Sequence, residues 1–199
     1  MYTRAASSKG TQETPQALNA NLSLSGLKQG QIKGSVTQKG REGKIMVIAA
    51  EHQVLSPRDA ASGLATGKRQ HKPFVITKEI DLPSPRLYTA LVSNETITDW
   101  ELQFWAPKGI DSTAGASGVE IMRYSVRLTQ AAICDIRFHM LNNKNPELAR
   151  YAEHEEVAFI YQKIEWTWVP TALTASDSLS TRAAPKGRSA AKKAAARKA

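Results

Sequence analysis

The run Gly63 to Lys68, GLATGK, has the composition of a phosphate-binding loop. Such a loop needs four residues between its glycines and a Ser or Thr after the lysine, because its length sets which backbone N–H groups reach the phosphates. Here three residues separate Gly63 from Gly67, and Arg69 follows Lys68, so no nucleotide site is read. Glu153-His154-Glu155-Glu156 gathers hard metal ligands, but successive side chains on a strand point to opposite faces, so the four cannot converge. They read as the solvated acidic start of a strand. His52, alone after an apolar stretch, reads as a hydrogen-bonded wall residue. Cys134 reads as a small core hydrophobe, and as the one cysteine of the chain it forms no intrachain disulfide. Asp81 and Asp135 are acids whose spacing gives them no shared task. Trp166 and Trp168 have the flat faces that stack bases in single-strand binders. Their common face with Ile164 makes them core or subunit contacts instead. Gly-x-Ser-x-Gly, His-Glu-x-x-His and zinc-ligand spacings are absent. The reading is therefore a non-enzyme with no catalytic residue, no metal and no cofactor.

Charge supplies a different kind of chemistry. The 199 residues carry 27 Lys and Arg against 18 Asp and Glu, a formal net charge of +9. Arg182, Lys186, Arg188, Lys192, Lys193, Arg197 and Lys198 fall in the last 18 residues, where no acid occurs. The excess of cations is thus mostly a property of the tail. An Ala/Lys/Arg tail has too little apolar surface to offset the entropy of ordering, so disorder is expected there. A polycation also displaces counterions from phosphate and binds without sequence preference. Lys186, Arg188, Lys192, Lys193, Arg197 and Lys198 are accordingly candidates for polyanion contact. Residues 1–17 read as a flexible N-terminal arm, 18–172 as the globular part and 173–199 as a flexible basic tail. No apolar run nears the roughly 20 residues of a membrane helix, so no membrane insertion is expected. The opening MYTRAASSKG lacks the apolar segment of a cleavable secretory signal.

The elements that must position these residues are mostly strands. Trp100, Leu102 and Phe104 alternate with Glu101 and Gln103, and Met122, Tyr124, Val126 and Leu128 alternate with Arg123, Ser125 and Arg127. That period of two marks strands with one wet side. Ala132, Cys134, Ile136, Phe138 and Met140 predict another apolar face. Phe74, Ile76 and Ile80 predict one more, and Pro73 suits only a strand start or an edge. Lys44 to Glu51 is apolar on both faces and reads as a central strand. From Glu156 to Val169 the large groups move from odd positions (Val157, Phe159, Tyr161) to even ones (Ile164, Trp166, Trp168). Either a barrel wall that also meets a neighbour or a bulge near Gln162 accounts for the switch. Ser84 as N-cap and Pro85 in the first position predict one short helix through Leu87, Leu91 and Val92, ending by Ser93-Asn94. A second short turn is expected from Asn145-Pro146 to Tyr151. The fold class is mainly β, a barrel or sandwich with one short helix. Apolar groups on both faces of the best strands point to self-association.

Particular runs carry a family likeness. They are Ile32-Lys33-Gly34-Ser35-Val36, Arg41-Glu42-Gly43, Val47-Ile48 and Glu51-His52, then Gly67-Lys68-Arg69-Gln70-His71-Lys72-Pro73-Phe74. Ile76-Thr77-Lys78-Glu79-Ile80-Asp81, Ser84-Pro85-Arg86-Leu87-Tyr88 and Tyr161-Gln162-Lys163-Ile164-Glu165-Trp166-Thr167-Trp168 follow. In order and spacing, over about residues 18–172, they resemble the Hcp proteins, the haemolysin-coregulated tube proteins of bacterial type VI secretion. The resemblance implies an Hcp-like β-barrel with one short flanking α-helix, assembling as a homo-hexamer. It implies rings that stack into a tube within a contractile sheath, carry effector proteins and are ejected with a tip spike protein. The subunit would wait in the bacterial cytoplasm and leave it without a cleavable signal peptide. Inter-ring contact in that family uses the long loop after the early strand. Here it spans about Leu55 to Gln70 and offers Arg58, Asp59, Leu64, Lys68 and Arg69. Glu51, polar after an apolar stretch, is the lumen candidate. The basic tail departs from the family pattern. It leaves a second reading, a nucleic-acid or polyanion-binding β-barrel protein acting through that tail.

Overall fold

The computed structural model of the chain describes residues 19–107 and 120–179. The first strands are β1 (Asn19–Gly26), β2 (Gly30–Gln31), β3 (Ile45–Val47) and β4 (Ala49–Glu51). A small pair, β5 (Val54–Leu55) and β6 (Gln70–His71), precedes β7 (Phe74–Glu79), helix α1 (Ser84–Val92) and β8 (Thr96–Pro107). Then come β9 (Glu120–Thr129), β10 (Ala131–His139), β11 (His154–Ile160), β12 (Lys163–Trp168) and β13 (Leu173–Ser178). A 3-10 turn, Val169–Thr171, links the last two.

All the described pairings are antiparallel, and they run round on themselves. Strand β8 pairs with β1 and β1 with β3; one residue, Ile48, leads into β4, which pairs with β7. Then β7 pairs with β11, β11 with β10, and β10 with the start of β8. This curled sheet is the expected barrel. Beyond Ile97 the edge of β8 that carries β10 carries β9 instead, and β12 and β13 extend the sheet from there.

Two strand pairs therefore share one bend. Residues 120–139 are nearly continuous strand, turned at Gln130, whose φ is +50°. Residues 154–168 turn beside it at Tyr161-Gln162, where the Gln162 N–H donates to the Thr129 carbonyl at 3.1 Å. The bend explains the switch of apolar faces. Val157, Phe159 and Tyr161 are buried in the barrel, and Ile164 is buried beyond the turn, with Trp166 packed against the same cluster.

The core holds Leu22, Leu24, Ile45, Ile76, Leu102 and Val157 around Trp100. Phe74 and Phe159 meet the Trp100 ring edge-on, with centroids at 5.0 and 5.5 Å. Gly34 is required by close approach, because a Cβ there would strike the Lys44 backbone carbonyl.

Several expectations are corrected. Lys44 to Glu51 is not a central strand: β3 and β4 are short, and Met46, Ile48 and Ala49 to Glu51 are exposed. Cys134 is exposed, because a register shift between Ile133 and Asp135 puts Ile133 inward; Phe138 and Met140 are exposed as well. The face of Phe74 and Ile76 continues through Lys78, not Ile80. Ser84 is the first helical residue rather than the cap, which is Pro83. The ordered part does not end at 172, since β13 lies in the stretch read as tail. Strand β13 has a single large apolar residue, Leu173, and is held by pairing with β12 rather than by a hydrophobic face. Asn145 to Tyr151 forms the expected turns.

Candidate assembly surfaces

Between β5 and β6 the chain leaves the barrel as an arm. Val54 pairs with His71 and Leu55 with Gln70. Further out Arg58 bridges to Ala65, and the Thr66 N–H donates to the Pro57 carbonyl at 3.0 Å. Asp59 shapes the tip. Its Oδ1 accepts from the Ser62 N–H at 2.7 Å, the Ser62 hydroxyl at 2.8 Å and the Ala61 N–H at 3.1 Å. The Ser62 bonds hold its carboxyl below the usual range. Arg58 donates to the Gly63 carbonyl, and Gly63 takes the left-handed conformation, φ +68°, that closes this turn. Leu64 stands 69% exposed near the tip, and Lys68 is exposed on the return. Of the inter-ring candidates, Arg58, Asp59 and Leu64 thus shape one ordered tip, while Arg69 sits at the base.

That base is tied to the barrel by a chain of polar groups. Arg69 pairs with Asp177 on β13 through Nε and Nη2. His71 Nε2 lies 2.8 Å from Oδ2 of the same carboxylate, the oxygen that also accepts from Arg69 Nε, and His71 Nδ1 lies 2.8 Å from the Tyr161 hydroxyl. His52 Nε2 meets that hydroxyl at 2.6 Å, with the His52 ring stacked on Phe74 at 5.2 Å. This is the hydrogen-bonded wall position expected of His52. A carboxylate only accepts, so neutral His71 carries its proton on Nε2. Its Nδ1 then accepts from the Tyr161 O–H, and His52 donates to the Tyr161 oxygen. In that tautomer the bonds point one way, towards Asp177. Burial and the Asp177 charge push the Tyr161 pKa up to about 12. The Arg69 and His71 bonds hold Asp177 below the carboxylate range, and burial and His71 hold His52 below its ordinary value.

The outer side of β4, β7, β11 and β10 forms an open groove of about 720 Å³. Glu51 and His52 lie at one part of it, with Lys72, Asp135, Arg137 and Glu156 among its charged members. Cys134 also lines it, and burial and Asp135 push its thiol pKa up. Asp135 pairs with Arg137 at 2.9 Å, whereas Asp81 belongs to the β7–α1 connection. Among the described residues no group of three or more His, Cys, Asp or Glu could hold a metal. Apolar side chains are exposed elsewhere: Met46, Ile48, Leu82, Phe138 and Met140 are each more than half exposed.

Residues 153–156 differ from the sequence reading. Glu155 is not solvated but fully buried against Lys78, facing away from Glu156. The position of Lys78, in phase with Phe74 and Ile76, was the signal. The cations Lys186, Arg188, Lys192, Lys193, Arg197 and Lys198 lie outside the described residues, as do residues 1–17.

The sequence model of the family described as "Type VI secretion system effector, Hcp" matches residues 22–168. The chain belongs to the Hcp family. The "Major exported protein" of Pseudomonas aeruginosa PAO1 is 38% identical over 170 residues, covering 81% of this chain and 95% of that protein. Among solved structures, a doubly substituted Hcp1 from E. coli EAEC 042 is 31% identical with a TM-score of 0.68, covering 81% of this chain and 99% of that one. Secreted protein Hcp3 from Pseudomonas aeruginosa is 32% identical with a TM-score of 0.62, over 81% and 98%. Both likenesses place the Hcp fold on the curled sheet and helix α1. No helix among the described residues is long and apolar enough to cross a membrane.

Proposed function

We propose that this Hcp protein is a subunit of the type VI secretion inner tube. Copies close head-to-tail into a hexameric ring, and rings stack, carry effector proteins and leave the cell with a tip spike as the contractile sheath fires. The role is mechanical, without covalent chemistry. One observation carries the reading: large apolar side chains stand in water on the barrel while an ordered arm projects from it. A lone copy leaves those surfaces unfinished, and a heterologous contact between two different patches buries them and closes a ring. The arm, with Arg58, Asp59, Leu64, Lys68 and Arg69, meets the next ring, and Glu51 in the groove of β4, β7, β11 and β10 faces cargo.

The test is the native mass of the purified chain with negative-stain images. Rings of about six copies with a central hole are expected from closed cyclic association. A monomer at micromolar concentration overturns the reading.

The seven cations of residues 182–199 support a second contact, with a polyanion such as nucleic acid. Phosphate-dominated binding weakens steeply between about 50 and 200 mM salt. Removal of 182–199 abolishes it if the tail carries it, and salt-independent or absent binding removes this second contact.

A further inference from the structure

The arm makes its own turns, but what fixes its direction lies elsewhere. Every described residue from Gln53 to Gln70 except Pro57 is exposed, and of its large apolar side chains only Val54 and Leu55 at the root, 41% and 37% exposed, are more than half covered, so little apolar packing holds the arm down. Two short strands pair at its root, and an isolated two-stranded unit is marginally stable in water. Its charged tie to the rest of the fold is at Arg69 and His71, and both end on one carboxylate, Asp177.

Asp177 is itself well placed to hold them. It lies on β13 opposite Ile164, in a ladder that runs from Lys163↔Ser178 to Trp168↔Leu173. Its side chain is 16% exposed, that of His71 3%. Arg69 spans both carboxylate oxygens, Nη2 on Oδ1 and Nε on Oδ2, and His71 Nε2 shares Oδ2. The guanidinium is planar, so two parallel bonds to a carboxylate fix an angle as well as a distance. His71 in turn is held by Tyr161, and Tyr161 by His52, both on the barrel wall. The root of the arm is thus clamped between the barrel wall on one side and β13 on the other.

We infer that Asp177 is a positioning residue for ring stacking: through Arg69 and His71, strand β13 sets the angle at which the arm meets a second ring of this same chain. This rests on the reading that the arm makes the inter-ring contact. Loss of the clamp leaves the ring itself intact, because the barrel and its exposed apolar patches do not depend on it. The arm then samples many directions, and the productive one is diluted.

The test compares Asp177→Asn with the unaltered chain and with Leu64→Asp, which alters the arm tip alone. Three quantities are read: ring mass, the concentration at which rings associate end to end, and hydrogen exchange of amides 54–70 against those of β7 and β11. For Asp177→Asn the expected result is an unchanged ring, faster exchange confined to the arm, and stacking weakened by about tenfold, the equivalent of one lost charged hydrogen bond. Asp177→Glu, which restores the charge, recovers part of it. Should Asp177→Asn fail to fold, Arg69→Gln cuts the same bond from the other side, and faster exchange throughout the arm with an unchanged ring separates a lost clamp from the loss of an Arg69 contact to the next ring. Stacking unaltered by Asp177→Asn and Arg69→Gln, but lost in Leu64→Asp, overturns the clamp and keeps the arm. Stacking unaltered by Leu64→Asp overturns the arm reading itself.

Discussion

The Lys78 ammonium lies 2.9 Å from the Glu155 carboxylate, and both side chains are shut off from water. They join β7 to β11 inside the barrel wall, and they reach further. Lys78 also donates to the Glu79 carbonyl at 2.7 Å and the Ser84 hydroxyl at 3.0 Å, and pairs with Asp81 at 2.6 Å. Ser84 donates to Glu155 at 2.8 Å. One cation thus pins the first residue of α1 and the β7–α1 connection to the sheet.

Breaking this pair from one side leaves a buried charge without its partner. Lys78→Met is expected to cost about 3–5 kcal/mol, the usual penalty for such a break. Lys78→Met with Glu155→Leu recovers much of it, because a well-packed apolar pair replaces two desolvated ions at little net cost. Urea unfolding at one fixed protein concentration measures both, since association would otherwise shift the midpoint. A double variant as unstable as the single one shows that the network holds the helix by geometry, not charge.

Glu95 and Gly26 are coupled. The Glu95 carboxylate is buried and accepts from the Lys28 N–H at 2.6 Å, the Gln29 N–H at 2.8 Å and Gln29 Nε2 at 2.9 Å. Burial raises its pKa, but the Gln29 and Lys28 donors together outweigh burial and the net shift is downward. A Cβ on Gly26 would collide with that carboxylate. Gly26→Ala is expected to cost about 1–3 kcal/mol by overpacking, and Glu95→Ala a similar amount by orphaning buried donors. The double variant costs less than the sum, because the collision disappears with the carboxylate. Strict additivity in urea unfolding would separate the two sites.

Stability should fall in two stages on acidification. His52 is held below its ordinary value, so the unfolded chain takes up that proton more readily than the folded one. Stability is then lost as pH falls below about 6.5, the unfolded histidine value. Asp177 is also depressed, and its contribution is present above about 3.9 and lost as pH falls through its lower folded value. Glu95 acts in the same sense, its contribution present above about 4.3 and lost as pH falls through its lower folded value. His52→Gln flattens the first stage and leaves the second, as read by thermal unfolding from pH 7 to pH 3. An unaltered first stage assigns it to another group.

Much of the barrel is legible from alternation alone, because Trp100, Leu102, Val126, Leu128, Val157 and Phe159 each face the core in the phase their spacing predicts. The helix is legible to within one residue from Ser84-Pro85. What alternation misreads is phase after an irregularity: the shift between Ile133 and Asp135 turns Cys134 outward. What it cannot see is a strand held by its neighbour's edge. Leu173–Ser178 has no alternating apolar face beyond Leu173 and Ala175, and its partners Arg69 and His71 stand more than a hundred residues away. Lys78 is hidden by the habit of reading lysine as solvent-facing, although its position shares the phase of Phe74 and Ile76. The arm emerges only through family likeness, since its exposed residues follow no hydrophobic period.

Met46 and Ile48 offer the sharpest check on association. Their neighbours Ile45 and Val47 face the core, which leaves Met46 and Ile48 on the outside, 55% and 56% exposed. They flank a shallow depression shared with Val36, Glu79 and Asp81. Neither contributes to the buried cluster, so Met46→Glu with Ile48→Glu should leave the monomer fold intact. Burying two carboxylates without partners in a subunit contact costs several kcal/mol, more than one interface can absorb and still close a ring at micromolar concentration. The expected outcome is a folded monomer by light scattering with unchanged far-ultraviolet circular dichroism, and Met46→Leu keeps the ring. A ring that survives the paired glutamates moves the contact to another exposed pair, Phe138 and Met140, where Phe138→Glu repeats the test.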